Sequence, residues 1–284
     1  MAPSIGRTRR PVAGTHTVIW GASTGIGRAA AAEIARRGGS VTILARGATA
    51  LDEAATHARG FASGTGQFVD ALVCDATDET AVAVAVEQLV AARGIPDVVV
   101  NNVGSSDPRY VDDFAVDDFR AAMEQNFLGQ VTPTLALLPH LRRAGRGHIV
   151  NVASMLGYFA IMGFATYAPT KYAVVGLSEV LRHELRPAGI TVGVLYPPDT
   201  LTPGYERENL TKPPECLELS EGSATLSAER VGRDLVDGIE ARAWRIMPGD
   251  AGLVWRVQRH APWALRALLD RRYAAARRHA GHSG

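Results

Sequence analysis

A doubly wound parallel α/β sheet is the fold this sequence predicts, and three observations carry it. Short apolar runs alternate with longer helix-period segments from residue 17 to about 247. Most of the short runs are continuous and β-branched, as expected of strands covered on both faces. Strand-then-helix units repeat along the chain, which places the helices as crossovers in one sheet rather than in two unrelated domains.

Seven strands are expected: THTVIWGAS (15–23), SVTILAR (40–46), QFVDALVCD (67–75), DVVVNNVG (97–104), HIVNVAS (148–154), ITVGVLY (190–196) and a weaker RIMP (245–248). The helical segments between them are 25–38, 48–59, 78–93, 116–144, 165–186 and 228–241. Pro133 makes the 116–144 run either kinked or shorter than its pattern suggests. The connection 197–227 is dense in Pro, Thr and Glu, and so long a connection reads as a lid over a site. Ser227 ends it as a helix cap, with Glu229 in the first turn that follows. One domain therefore spans 15–249, after a loose arm at 1–14 and before a basic helical tail at 250–284.

The chain has 284 residues, 46% hydrophobic and 21% charged, which suits a soluble globular protein with a sizeable core. Its net charge of +1 argues against nucleic acid as a partner. That balance hides an asymmetry, because residues 251–284 carry seven arginines and one acid, Asp270. Cys74 and Cys216 provide neither a disulfide framework nor metal-ligand spacing, so no metal site is expected and a reducing, cytoplasmic setting is. The first residues lack the apolar run of a signal peptide, and no stretch reaches the ~18 apolar residues of a spanning helix.

GASTGIG sits where the first strand turns into the first helix. Its glycines Gly21, Gly25 and Gly27, with Ser23, Thr24 and Ile26 between them, suit a turn that brings a pyrophosphate to a helix N-terminus. This makes the sheet Rossmann-type. The second strand ends in Ala45 and Arg46, where an acidic residue would select NAD. A guanidinium there either binds a 2′-phosphate, favouring NADP(H) over NAD(H), or is a solvated strand-end charge. Asp75 either accepts from the adenine amino group or caps the next helix. Asn102 and Gly104 end the fourth strand, where an amide can lock the sheet edge and a glycine admits a cofactor.

YAPTK places Tyr167 and Lys171 one helical turn apart, about 6 Å, on a shared face. Free, both groups hold their protons at neutral pH. Together, the ammonium favours the phenolate and draws the tyrosine down toward neutrality. Such a phenol can protonate the alkoxide that hydride addition to a ketone leaves behind. Alone, the pair reads as two residues on a solvated helix face.

These motifs, with Asn126 in MEQNFLG and Ser154 in IVNVAS, resemble those of the short-chain dehydrogenase/reductase superfamily, in the same order over residues 15 to about 200. The resemblance implies a tetrad in which Tyr167 is the general acid/base and Lys171 lowers its pKa and holds the nicotinamide ribose. Ser154 would polarise the substrate carbonyl, and Asn126 would anchor a water that relays protons to Lys171. More narrowly, YPPDTLTPGYERENLTKPPE is similar to the matching segment of 3-ketodihydrosphingosine reductases. That similarity implies an NADPH-linked reduction of a long-chain, lipid-like ketone at a membrane surface, with Thr202 as a cofactor contact. Those reductases place a lysine four residues after the strand-end arginine, where this chain has Ala50.

The tail mixes Trp255, Trp263, Leu265, Leu268 and Leu269 with arginines at helical spacing, and Pro262 divides it. It suits either the surface of an anionic bilayer, with peripheral attachment on the cytosolic face, or packing on the domain or a partner subunit. In the membrane reading, Arg256, Arg259, Arg266, Arg271 and Arg272 meet the lipid, and Tyr205 and Leu210 of the lid face its chain. The expected partners are a lipid-like ketone and further copies of the chain in a homo-oligomer. The rival readings are a reductase of β-ketoacyl, steroid or polyketide ketones, and a dinucleotide-sensing or scaffolding module without turnover.

Overall fold

The computed structural model describes residues 9–221 and 225–279. The first eight residues of the arm, three residues of the 197–227 connection and the last five of the tail lie outside the described residues. Among those described, the strands are β1 (His16–Trp20), β2 (Ser40–Ala45), β3 (Val69–Val73), β4 (Val98–Asn101), β5 (Gly147–Val152), β6 (Ile190–Leu195), β7 (Thr200–Leu201), β8 (Leu226–Ser227) and β9 (Arg245–Ile246). Seven form one parallel sheet in the order β3-β2-β1-β4-β5-β6-β9, while β7 pairs with β8.

Strand order reverses between β1 and β4, so a crevice opens at their C-terminal ends. Trp20 pairs with Leu44 and Asn101, and Asn101 with Asn151, so four strands end level. The residues that follow each strand therefore meet at one edge. Expected strand runs that overshoot, such as 15–23 and 97–104, supply those turns.

The helices are α1 (Gly25–Arg36), α2 (Ala48–Arg59), α3 (Glu79–Arg93), α4 (Val116–Met123), α5 (Gly129–Ala144), α6 (Tyr167–Glu184), α7 (Pro203–Asn209), α8 (Pro214–Glu221), α9 (Ala228–Glu240), α10 (Ala251–His260) and α11 (Pro262–His279). Alternate strand residues point to opposite faces. Ile19, Ile43, Val100 and Val150 pack with Ile34, Leu51 and Leu235 of α1, α2 and α9. Val18, Leu44, Val99 and Ile149 pack with Leu89, Leu137 and Leu181 of α3, α5 and α6. Burial on both faces explains why the strands read as unbroken apolar runs.

The 116–144 run is broken by a π-helical turn, Glu124–Leu128, ahead of Pro133. Pro133 has no N–H for the Gly129 carbonyl, and the helix loosens just before that residue. The 197–227 connection is largely ordered as α7 and α8, tied at its ends by β7 and β8. Ser227 Oγ accepts from the Arg230 N–H at 3.2 Å and caps α9. Residues 9–14 of the arm are not loose, because Val12 is buried and the Arg10 N–H donates to the Glu240 carbonyl at 2.8 Å. In the tail, α11 packs along α8, with His279 Nδ1 3.0 Å from Glu218 Oε1.

Candidate active site

A cleft of about 910 Å³ lies at the C-terminal edge of the sheet. That volume is near the top of the roughly 300–1,000 Å³ range of small-molecule sites, as needed when a cofactor and a substrate share one space. Ser154 follows β5, and Tyr167 and Lys171 stand in the first two turns of α6; all three line the cleft. Lys171 is buried, its Nζ donating to the Val152 carbonyl at 3.0 Å and lying 5.4 Å from the Tyr167 ring centre. Burial pushes the Tyr167 phenol above its usual range; the charges of Glu208 and Asp199 add to this and the Ser154 side chain opposes it. Burial likewise lowers the Lys171 ammonium to about 7. The one-turn spacing by itself predicts the opposite for the phenol, an ammonium that draws it down. Desolvation penalises both charged forms and moves both groups toward neutral.

Asn126, in the π turn, is buried and does not line the cleft. Its amide clamps the loop after β4: Oδ1 accepts from the Ser105 N–H at 2.7 Å, and Nδ2 donates to the Ser105 carbonyl at 2.9 Å. A methyl group at Gly104 would sit 3.0 Å from Lys171 Nζ and 3.1 Å from Asn126 Oδ1, so only glycine leaves that corner open.

At the other end, Gly21, Ser23, Thr24, Gly25, Ile26, Arg46, Asp75, Asn102, Gly104 and Thr202 all line the cleft. Gly27 does not. A Cβ there would meet the Asn102 amide nitrogen at 2.7 Å and the Gly21 carbonyl oxygen at 2.6 Å, so this glycine serves close packing of α1 on the β4 end. Asn102 Nδ2 donates to the Gly21 carbonyl at 2.6 Å, tying the two strand ends together. Thr24 precedes α1 without a side-chain cap, which leaves the first N–H groups of the helix for an anion. Asp75 does not cap α3, a role taken by Asp78, whose Oδ1 accepts from the Ala81 N–H at 2.9 Å. Instead, Asp75 Oδ1 accepts from the N–H and hydroxyl of Thr77. Arg46 is exposed and only loosely paired, 3.8 Å from Asp75 Oδ2. An uncapped helix start and an open corner at Gly104 fit a nicotinamide dinucleotide.

The remaining walls come from the lid and the tail. Thr202 caps α7 by accepting from the Tyr205 N–H at 3.1 Å. Tyr205 lines the cleft, whereas Leu210, just past α7, is 83% exposed and is not among the lining residues. Phe159, Ile161, Phe164, Leu219, Leu265 and Leu269 form an apolar section, and Arg272 lies at the cleft rather than on the outer surface. The sequence signal for this section was the leucine spacing of the tail, which says that a face is buried but not against what.

Comparison with known proteins agrees with this geometry. Residues 15–212 match the short chain dehydrogenase family. The chain is 35% identical over 237 residues to a 3-dehydrosphinganine reductase of Danio rerio, covering 83% of this chain and 71% of the relative. It is 33% identical over 241 residues to a 3-ketodihydrosphingosine reductase of Dictyostelium discoideum, covering 80% and 72%. A short chain dehydrogenase/reductase of Burkholderia phymatum, solved in complex with NAD, shares the fold with a TM-score of 0.78 at 24% identity, covering 90% of this chain and 96% of that one. The chain belongs to the short chain dehydrogenase family and is an NAD(P)-dependent oxidoreductase acting on a CH–OH or ketone group.

Proposed function

We propose that this short chain dehydrogenase uses NADPH to reduce the ketone of a long-chain amino ketone of the 3-ketosphinganine type. The observation that carries this is the meeting of Ser154, Tyr167 and Lys171 in a cleft that continues into an apolar section. The relatives' names, 3-dehydrosphinganine and 3-ketodihydrosphingosine reductase, support the same substrate class. The nicotinamide cofactor supplies a hydride when bound; the chain's own residues do the rest. The first N–H groups of α1 and Lys171 hold the dinucleotide, with Thr202 against it from the lid. Ser154 donates to the ketone oxygen, and Tyr167 passes its proton to the alkoxide that forms. A buried phenol that begins protonated is the form such a reduction requires. Lys171 restores that proton, and Asn126 holds the 104–105 loop around it. With its side chain committed to Ser105, Asn126 would bind a relay water through its backbone carbonyl.

Arg46 favours NADPH because a charged hydrogen bond to a 2′-phosphate is worth roughly 1.5–3 kcal/mol. Membrane contact belongs to the same reading. Arg256, Arg259, Arg266 and Arg271 are exposed on the tail, beside Trp263 at 73% and Leu253 at 58% exposure. Among the described residues no helix is long and apolar enough to cross a membrane. The test is NADPH oxidation screened across 3-ketosphinganine, β-ketoacyl esters and steroid ketones. We expect the first to give the highest kcat/KM; a higher value for either other class would overturn the substrate reading.

A further inference from the structure

The ENLTK run, Glu208 to Lys212, closes α7 and has no part in the proton transfer at Tyr167. Its lysine is unusual, with a side chain 0% exposed. A buried ammonium needs partners. Lys212 Nζ donates to Asn209 Oδ1 at 2.8 Å and stands 4.3 Å from the centre of the Tyr205 ring. Glu208 Oε2 is 4.0 Å away, close enough for attraction but too far for a hydrogen bond. Lys212 thus attracts Glu208 across 4.0 Å while its hydrogen bond goes to Asn209. Glu208 lines the cleft together with Asp199, Ser154 and Tyr167, and the Ser106 side chain lies against it.

Among charged residues, Glu208 acts most strongly on the Tyr167 phenol, followed by Asp199. Burial raises the Glu208 carboxyl; the Ser106 side chain and Lys212 oppose this most, and Asp199 and Arg207, which also lines the cleft, act less. Negative charge beside the proton donor is the wrong sign for a site that must accommodate a developing alkoxide. It raises the barrier for a neutral ketone. A substrate that brings its own cation next to the carbonyl reverses that penalty.

We propose that Glu208 receives the ammonium group of the substrate, so that the enzyme selects ketones bearing a protonated amine on the carbon adjacent to the carbonyl. This rests on the long-chain reductase reading above and assigns a residue to the head of that substrate. An ammonium on that carbon is two bonds from the carbonyl carbon, so both groups reach the same end of the cleft. Its charge neutralises Glu208 as the alkoxide forms, and the apolar section takes the chain.

The experiment compares kcat and KM for 3-ketosphinganine and for 1-hydroxyoctadecan-3-one, the same molecule without the amine, in the wild type and in Glu208→Gln. The wild type should favour the amino ketone by about ten- to a hundredfold in kcat/KM, the range of a charged hydrogen bond. Glu208→Gln should bring that ratio close to one, mainly through KM for the amino ketone. A wild-type ratio near one, or a ratio that the substitution leaves in place, overturns the proposal. Should the variant not fold, inhibition of the wild type decides: sphinganine should inhibit at least tenfold more tightly than octadecane-1,3-diol, and equal inhibition overturns the proposal. Equal turnover of both ketones leaves the long-chain reductase reading standing and removes only the role of Glu208; turnover of neither removes both.

Discussion

Burial raises the Tyr167 phenol and brings Lys171 down to about 7, so two residues one turn apart on α6 are both moved toward their neutral forms, and Lys171 exchanges its proton near neutral pH. The consequence for stability can be measured. Unfolded, Lys171 keeps its proton up to about its ordinary 10.5; folded, it sheds it above about 7. Between those values the unfolded chain binds more protons, so this group's cost to folding is greatest below about pH 7 and fades as pH rises toward 10.5. Lys171→Met should therefore raise Tm by about 2–4 °C near pH 7, the shift roughly 1 kcal/mol makes at this size, while abolishing turnover. Denaturation of both proteins from pH 6.5 to 9 should show the advantage of the variant shrinking; no gain at any pH would mean the lysine is compensated in the fold. Tyr167 and Lys171 could be paired in the sequence from their spacing of one helical turn, whereas Ser154 was reached only through the family resemblance. Glu208 was legible only as part of an unusual run. Its place beside Tyr167 depends on α7 folding back over the cleft, which no local pattern encodes. Gly27 packs α1 on the β4 end, a role the sequence could not separate from phosphate binding, since a glycine that admits a helix and one that admits a phosphate look alike.

At the scale of elements, strand ends and helix starts line one half of the cleft, which we assign to the cofactor, whereas the 197–227 connection and the tail line the half we assign to the substrate. The first half follows from strand order, and the sheet, its crossovers and the glycine turn could all be read from apolar runs. The second half could not, because 197–227 carried turn residues without periodicity and the tail carried a face without a partner. Two substitutions separate the halves. Arg46→Ala, at the end of β2, should lower the kcat/KM preference for NADPH over NADH about tenfold or more, with little change for NADH. An unchanged preference would return Arg46 to a solvated charge. Leu269→Asp, on α11, should reduce kcat/KM for an eighteen-carbon ketone at least tenfold while a short-chain ketone is much less affected. Equal loss on both would mean that α11 supports the fold but does not hold the chain.

In the whole molecule, α11 is a wall of the cleft on one side and carries exposed arginines on the other. The sequence posed packing and membrane contact as alternatives, yet a helix can do both with opposite faces. Each exposed arginine near an anionic surface contributes about 1 kcal/mol. The full chain should float with anionic vesicles at low salt, less so at high salt, and Arg266→Glu with Arg271→Glu should weaken flotation. A full chain that stays in the soluble fraction at low salt would leave α11 with packing alone. The central claim, that this enzyme reduces a long-chain amino ketone with Tyr167 as proton donor, is tested most directly by following sphinganine formation from 3-ketosphinganine and NADPH in the wild type and in Tyr167→Phe. The account predicts turnover by the wild type and a loss of several orders of magnitude in the variant, with NADPH affinity within a few-fold. No sphinganine from the wild type, or a variant that keeps a substantial part of the rate, would contradict it.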